Sequence, residues 1–328
     1  MKNYNLLFIL IVFLSICVSG CDDNYTYEVP KGNTELYNDC LKRSIGPNIA
    51  GQKIEFVYAM AIGPEKGKLI SARATATIPG AKGTFMENRS FYTDMGGIDV
   101  PVIVAEPSTT MGNKTEIIFT KDTCAAALRY YYVIPQEARG KSVSFMFSST
   151  ASTGENVSYK LGPYEISTIN MQLDLVLSNN NNCYLSISDM AAYNASVAAV
   201  NTSKIDLVYV YHSGKSAPMN HALISPANDK YLSIITLPTG LNNNTPFWKV
   251  YGLRDRHLSR SQYGVYVDDI DFQKMNFENA PNYGLDLKLD SGAWVETADG
   301  KYRAFIFVNQ VDDIKKEMTV SIKRYQMK

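Results

Sequence analysis

The sequence predicts a mainly β protein that is built from two sandwich-like domains. Apolar and polar residues alternate with a period of two in many short segments, as expected for sheets with one face against a core. Glycine and proline separate these segments, and few long helical patterns lie between them, which favours antiparallel pairing. Tyrosine, which suits strands, is abundant, with 22 residues against 2 tryptophans.

The chain begins with the pattern of a secretory signal peptide, which we assign to residues 1–20. Lys2 places a positive charge near the N terminus, and residues 6–14 form an apolar run that is too short to span a bilayer as a helix. Small residues then precede Cys21, and the sequence VSGC resembles the bacterial lipobox, in which the cysteine thiol receives a diacylglyceryl group. The alternative is an ordinary signal peptide followed by a cysteine. We expect Cys21 to be lipidated, because several acyl chains together anchor a protein stably in a membrane.

The polar residues 21–33 predict a short tether between the lipid and the folded chain. The tether begins with the acidic pair Asp22 and Asp23, which resembles the signal that sends lipoproteins of Bacteroidetes-type bacteria to the outer face of the outer membrane. We therefore expect a protein that is anchored in the outer membrane and faces the exterior.

Residues 34–168 are predicted to form an N-terminal β-sandwich of the immunoglobulin-like kind. A short helix is expected first, capped by Thr34 and with an apolar stripe that ends at Leu41. The next two strands should turn alternate residues inward: Ile54, Phe56, Tyr58, Met60 and Ile62 in one, and Ile70, Ala72, Ala74, Ala76 and Ile78 in the other. Further strands are predicted at 116–120, 129–135, 141–149 and 156–161.

Residues 169–328 are predicted to form a C-terminal β-rich domain with a minor helical part, or alternatively an α+β domain. Its first strand, at 171–178, places Met171, Leu173, Leu175 and Leu177 in phase. A helix is expected at 189–200, and the segment 205–211 is apolar on both faces, which predicts a strand at the centre of a sheet. The other strands are predicted at 183–187, 263–270, 283–290, 293–298, 301–309 and 318–326.

The composition argues against several classes of protein. Basic and acidic residues balance, at 32 each, so no broad basic surface for nucleic acid is expected. Past Cys21 only Cys40, Cys124 and Cys183 remain, which allows at most one disulfide within the chain. A Cys40–Cys124 pair and free thiols both stay open at this stage. No zinc-binding spacing is present, and neither a metal nor a cofactor is expected.

Sequence motifs for catalysis are missing, so we expect a protein that is not an enzyme. The chain has no GxSxG elbow, no HExxH pair and no complete Walker loop. A glycoside hydrolase-like activity is the alternative, because its two carboxylates are recognised by their separation in space rather than along the sequence.

One segment, residues 252–272, stands out as a candidate binding site. It concentrates arginine and tyrosine, whose side chains could grip a sugar, a carboxylate or a partner loop. The competing interpretation is an ion-paired loop, in which the arginines bond backbone carbonyls and the acidic cluster Asp268, Asp269 and Asp271. Trp248 follows a polar loop and is expected to be exposed, whereas Trp294 is expected in the core. The candidate ligand-binding residues are Trp248, Arg254, Arg256, His257 and Tyr263.

Several long stretches carry a resemblance to a known family. Residues 130–147, 184–211, 221–226, 253–272 and 294–309 resemble an uncharacterised family of Bacteroidetes lipoproteins, which is known as a domain of unknown function. That family has no assigned activity, so the resemblance implies no site residues. The predicted architecture and cellular location are also distantly similar to those of surface glycan-binding lipoproteins, which accompany outer-membrane glycan importers.

The sequence therefore predicts a non-catalytic binding lipoprotein of the outer membrane, with a carbohydrate as its ligand in a nutrient-uptake system. Its expected partners are the membrane, through the lipid on Cys21, a glycan, and an importer or other surface proteins. The alternative is a structural or protein-interaction subunit, or an adhesin, of the cell surface.

Overall fold

The computed structural model describes residues 35–179, 181–214 and 219–327. The predicted signal peptide, Cys21, the tether and Thr34 lie outside the described residues. In the described part, twenty strands pair antiparallel into four sheets of five strands each, with four short α-helices. The predicted mainly β fold is confirmed.

The first ten strands form two sheets around one core, and we call this part the N-terminal half. The first sheet has the order β1-β2-β8-β4-β5 and the second β10-β9-β3-β7-β6. The strands are β1 Tyr37–Lys42, β2 Lys53–Ala61, β3 Leu69–Ala76, β4 Phe85–Thr93, β5 Asp99–Ile103, β6 Thr109–Met111, β7 Lys114–Ile118, β8 Ala125–Val133, β9 Ser142–Ala151 and β10 Asn156–Glu165. Aromatic rings dominate the space between the sheets: Phe56 lies 4.6 Å from Phe145 and 5.3 Å from Phe147, measured between ring centroids.

The predicted alternation is confirmed in β2, where all five expected residues from Ile54 to Ile62 are buried. In β3 the prediction for Ile70 is wrong, because the pairing with β9 shifts between Leu69 and Ser71 and turns Leu69 inward instead. The short helix predicted after Thr34, with its end at Gly46-Pro47, is also wrong. Residues 37–42 form β1, since they can complete the backbone hydrogen bonds along the free edge of β2.

The last ten strands form the third and fourth sheets, and we call this part the C-terminal half. The third sheet has the order β11-β20-β19-β18-β16 and the fourth β13-β12-β14-β15-β17. The strands are β11 Asn170–Ser178, β12 Tyr184–Ser186, β13 Ala191–Tyr193, β14 Leu207–His212, β15 Asn220–Ile224, β16 Phe247–Tyr251, β17 Tyr283–Gly284, β18 Ser291–Glu296, β19 Tyr302–Asp312 and β20 Glu317–Gln326. The helices are α1 Ala195–Val200, α2 Asp229–Leu232, α3 Arg256–Ser259 and α4 Asp269–Lys274.

Three apolar clusters stack through the C-terminal half. The middle cluster lies between the third and fourth sheets and includes Leu207 of β14 and Ile306 of β19. Helices α1 and α2 cover the other face of the fourth sheet, and α3 and α4 cover the other face of the third sheet. As predicted, β14 is buried on both faces and lies at the centre of its sheet.

Three predictions for the C-terminal half need correction. The predicted strand at 263–270 is a loop that leads into α4, because Asp268 and Asp271 form a capping box that starts this helix. The predicted strand at 283–290 is reduced to Tyr283–Gly284. The predicted helix at 189–200 begins only at Ala195, where Asn194 caps it, and β13 occupies the residues before the cap.

The first strand of the C-terminal half, β11, also departs from its predicted pattern. Its pairing with β20 shifts between Gln172 and Leu175. The shift turns Met171 and Leu173 towards the cluster under α3 and α4, whereas Leu175 and Leu177 face the middle cluster. The four residues predicted in phase therefore lie on two faces, because a bulge reverses the alternation.

A close joint connects the two halves. Ile49 belongs to the N-terminal half by sequence, yet it is fully buried in the cluster under α3 and α4 together with Ile169 and Trp294. Asn48 forms a parallel bridge with Ile166, and its side-chain amide donates to the Glu165 carbonyl over 2.8 Å. The joint therefore has its own apolar core.

Two further properties concern the membrane and the thiols. Within residues 35–179, 181–214 and 219–327, no helix has the length and the apolar character needed to cross a bilayer. Cys40, Cys124 and Cys183 are free thiols. Burial raises the pKa of Cys40 well above its usual range, so this thiol is unreactive.

Candidate functional site

The sequence candidates lie around α3 and along β16, and they do not line one common cavity. Trp248 is 42% exposed on the edge strand β16, directly across from the buried Trp294, as both predictions stated. Tyr263 is strongly exposed in the loop after α3. Arg254 forms an ion pair with Asp290. Its Nε donates a hydrogen bond to one carboxylate oxygen over 3.1 Å, and a second guanidinium nitrogen donates to the other oxygen.

Arg256 and His257 contact the joint between the halves. The Arg256 guanidinium lies 5.0 Å from the ring centroid of Tyr266, and the His257 ring lies 4.8 Å from it. Tyr266 packs on Gly46, where an added Cβ would meet the ring at 2.5 Å. Burial, with help from Lys323, lowers the pKa of His257 to about 4, so this imidazole is neutral. A ligand-binding role for these residues stays a prediction.

A buried ion pair fastens α3 to the third sheet. The Lys323 ammonium lies 2.6 Å from Oδ2 of Asp255, and both side chains are 0% exposed. Lys323 also donates to the Val267 carbonyl over 2.8 Å, and Asp255 accepts from the amides of Leu258 and Val267. Every polar atom of the pair is used within the fold, so the pair has a structural role rather than a free site for a ligand.

The acidic cluster serves helix α4 and the joint. Asp268 and Asp271 cap α4, and Asp269 accepts a hydrogen bond from Ser167 Oγ. Arg254 and Arg260 pair with Asp290 and Asp174 instead of with this cluster. Among the residues that the structure describes, no group of three or more His, Cys, Asp or Glu side chains is placed to hold a metal ion.

A polar cavity at one end of the C-terminal half is the best candidate site. Its volume is about 680 Å³. It opens where the β12–β13 turn and the segment before β14 meet the β18–β19 turn, so it joins the third and fourth sheets. Most of the residues that line it carry polar side chains: Ser188, Asp189, Ser203, Lys204, Asp206, Asn243, Thr297, Ala298, Asp299, Lys301 and Tyr302. None of the five sequence candidates belongs to it.

Two ion pairs line the rim of the cavity. Lys204 lies 3.1 Å from Oδ2 of Asp189, and Lys301 lies 3.0 Å from Oδ2 of Asp299. Partial burial works against ionisation of Asp299, but hydrogen bonds from Thr297 and the Lys301 amide prevail and lower its pKa to about 2. Both lysines are therefore balanced by an adjacent carboxylate.

Asp206 differs from the other acids of the cavity. Its side chain is only 3% exposed, and its Oδ2 accepts a hydrogen bond from the Ile187 amide over 2.7 Å. Burial raises the pKa of Asp206 to about 7, against the opposing effect of the Ile187 amide, and Asp299 and Asp189 add to the rise. Tyr302 supplies the one aromatic ring of the lining, and the guanidinium of Arg324 lies 4.7 Å from its centroid.

The cavity offers a mixture of hydrogen-bond donors and acceptors beside one ring. Hydroxyls and ammonium groups donate, and carboxylates and the Asn243 amide oxygen accept. Sequence reasoning missed these residues because they come from four separate segments, none of which carries a motif. The one available signal was the turn TADGKY (297–302), whose charged residues interrupt two apolar strands.

Comparisons with known proteins divide the chain at the same place as the sheets. A domain of unknown function, DUF4466, matches residues 33–166, and a second one, DUF8576, matches residues 167–327. The crystal structure of a DUF4466 family protein from Parabacteroides merdae ATCC 43184 is 47% identical, with a TM-score of 0.84. That alignment covers 90% of this chain and 100% of the other.

Two pilin structures are far less similar. The major pilin GBS80 of Streptococcus agalactiae, as a C-terminal fragment, is 11% identical with a TM-score of 0.27, over 46% of this chain and 66% of that one. The major pilin subunit BcpA of Bacillus cereus is 9% identical with a TM-score of 0.30, over 86% of this chain and 62% of that one. At such TM-scores neither bears on function. No protein with a curated description matches the chain.

Proposed function

We propose that this chain, which belongs to the DUF4466 family, is a binding protein of the outer cell surface whose ligand is a carbohydrate. Its family is one of unknown function, so the proposal rests on the chain's own residues. The lipobox-like sequence before Cys21 supports a lipid anchor, and the acidic pair after it supports an outward-facing position in the outer membrane. In this proposal the protein serves nutrient uptake beside a glycan importer.

The polar cavity is the observation that carries the proposal. A sugar presents many hydroxyls, and each buried hydroxyl must find a partner or lose free energy. The cavity supplies both donors and acceptors on facing segments, and Tyr302 adds a ring against which the apolar face of a sugar can pack. Its volume of about 680 Å³ is large enough for one or two sugar rings.

The test is a glycan-array screen of the soluble chain from Asp22 onward, followed by calorimetry on the best ligand. Asp206→Asn alters the cavity, and the double variant Trp248→Ala, Arg256→Ala alters the sequence candidates. Asp122→Asn is the matched control, because Asp122 is an exposed aspartate in the N-terminal half that pairs with Lys68. We expect only the cavity variant to weaken binding. Loss of binding in the Trp248 variant alone would move the site to β16, and no glycan binding would overturn the proposal.

The anchor needs a separate experiment with the full-length chain. We expect the wild-type protein to partition with outer membranes and the Cys21→Ala variant to be released into the soluble fraction. Protease added to intact cells should degrade the wild-type protein if it faces outward. Membrane association that survives Cys21→Ala would contradict the lipid anchor.

A second candidate function, a subunit that binds another protein, has one observation in its favour. Strand β5 is one edge of the first sheet and β6 is one edge of the second, and both expose large apolar side chains, including Ile103 and Met111. Exposed apolar edge strands are frequent sites of protein association. Capture of a defined outer-membrane protein by the wild-type chain, and not by Ile103→Lys, would favour this candidate over a glycan receptor.

A further inference from the structure

The charges around the polar cavity do not balance. Three carboxylates and two ammonium groups line it, which leaves one negative charge when all are ionised. Lys204 is committed to Asp189 and Lys301 to Asp299. Asp206 is therefore the acid without a cation of its own in the described part of the cavity.

The geometry around Asp206 leaves one of its oxygens free. Oδ2 accepts the hydrogen bond from the Ile187 amide, whereas Oδ1 accepts none from the described residues. The side chain is nonetheless almost completely buried at the wall of the cavity. A buried carboxylate without a cation is unfavourable, so a ligand group that donates to Oδ1 would stabilise the ionised form of Asp206.

The neighbouring charged groups make their described contacts with residues other than Asp206. On the β12–β13 side, Asp189 is bound by Lys204 and by the Tyr193 hydroxyl. On the β18–β19 side stand Asp299 with Lys301, and then Tyr302, whose ring is stacked by Arg324. The Arg324 guanidinium also donates to the Ser188 carbonyl.

We infer that the cavity binds a sugar that carries a protonated primary amine, with the ammonium group donating to Oδ1 of Asp206. This inference rests on the proposed function and specifies its ligand. An ammonium group is preferred over a hydroxyl because it both donates the hydrogen bond and neutralises the remaining charge. A metal ion is disfavoured, because the described carboxylates do not converge into a group that could ligate one.

Proton linkage gives the inference a distinct signature. In the free protein, burial raises the pKa of Asp206 to about 7. At acidic pH the carboxyl group is therefore protonated and neutral, and it does not attract a cation. A bound ammonium group favours the ionised carboxylate. The affinity for an amino sugar should therefore rise about tenfold from pH 5.5 to pH 7, as Asp206 ionises and most of the ligand amine is still protonated.

The experiment compares matched sugars by calorimetry on the soluble chain from Asp22 onward. Glucosamine and galactosamine carry the amine; their N-acetylated forms and the parent hexoses share the ring without the charge. We expect the amino sugars to bind about tenfold tighter than the neutral ones at pH 7. Asp206→Asn should abolish both this preference and the pH dependence, and Asp122→Asn should change neither.

The outcomes separate the inference from the proposed function. Equal binding of amino and neutral sugars, or a preference that persists in Asp206→Asn, overturns the inference and leaves a carbohydrate receptor. No binding of any sugar overturns both. Asp206→Asn is expected to fold, because its amide oxygen can still accept from Ile187 and the variant removes a charge that burial disfavours. Urea unfolding of the variant checks this point directly.

Discussion

The two halves of the molecule bury different kinds of side chain. Among the described residues of the N-terminal half, the largest buried side chains are aromatic, and Glu87 is the one ionisable side chain of the Asp, Glu, Lys, Arg or His type that is buried. The described C-terminal half buries four such side chains: Asp206, His221, Asp255 and Lys323. The halves have similar sheets, so the difference lies in what the sheets enclose.

This difference matters because apolar and ionisable side chains have different consequences when they are buried. An aromatic core such as that of the N-terminal half gains stability from packing and apolar burial, and it offers nothing to a polar ligand. Buried ionisable groups cost free energy to desolvate, and they remain stable only where partners are supplied. Lys323 and Asp255 are each other's partners, whereas Asp206 lines a cavity and has no cation partner among the described residues. We therefore expect a ligand to bind in the C-terminal half rather than in the N-terminal half.

The largest expected effect on stability comes from removing, in each half, one buried side chain of the kind that is typical of that half. Lys323→Met leaves Asp255 buried without its cation, and we expect the free energy of unfolding to fall by about 3–5 kcal/mol. Phe147→Ala removes a ring from the aromatic core and should cost about 3–5 kcal/mol as well. Urea unfolding measures both.

A second substitution distinguishes the two losses. Adding Asp255→Asn to Lys323→Met removes the uncompensated charge and should restore part of the stability, whereas no single charge change rescues Phe147→Ala. A cost below about 1 kcal/mol for Lys323→Met would mean that the pair is solvated, and that the contrast between the halves is smaller than the structure indicates.

The next prediction concerns pH, and it is confined to the C-terminal half. The pKa of Asp206 is raised to about 7, so its contribution to stability is present below pH 3.8 and is lost as the pH rises to about 7. The pKa of His257 is lowered to about 4, so its contribution is present above pH 6.5 and is lost as the pH falls towards 4. The two effects oppose each other between pH 4 and pH 6.5.

Single variants should reveal the two opposing slopes. In Asp206→Asn the stability should rise with pH across this window, and in His257→Gln it should fall, each by about 1.4 kcal/mol per pH unit, with the wild type nearly level. Urea unfolding at pH 4.5, 5.5 and 6.5 measures the slopes. Parallel profiles for the wild type and both variants would contradict the assigned protonation states.

The last prediction tests the joint between the halves with two glycines. Gly46 and Gly51 have similar positive φ angles, +85° and +87°, but only Gly46 has the ring of Tyr266 against its Cα. Alanine should cost about 1 kcal/mol at either position for the backbone, and Gly46→Ala should cost about 1–3 kcal/mol more for the clash. Equal costs in thermal unfolding would mean that Tyr266 is not held against the N-terminal half.

Much of the fold was predictable because period-two alternation is a direct consequence of strand geometry. It identified β2 residue by residue, and the doubly apolar segment 205–211 identified the central strand β14. Local hydrogen bonding was harder to predict. The capping box at Asp268 overrides the strand pattern of the residues around it, and bulges in β3 and β11 shift the inward face by one residue.

The candidate site was not predictable from alternation, because burial there depends on the layers that cover a sheet. In β20, Ser321 and Lys323 alternate with apolar residues and resemble a face towards water, but α3 and α4 cover that face and bury them. Asp206 is a single acid before a strand, and nothing in the sequence indicates that a turn 90 residues away lies opposite it. The exposure of Trp248, by contrast, followed from its polar loop.

The position of Ile49 has a consequence for the evolution of the two halves. The two family matches, DUF4466 and DUF8576, meet at residue 166, as if two independent modules had been joined. Yet the C-terminal part without Ile49 would carry a hole beside Trp294, and the N-terminal part alone would present an isoleucine to water. Recombination at that border would produce two flawed proteins. We therefore expect the two sequence families to occur side by side in genomes, in this order, far more often than either occurs with another neighbour.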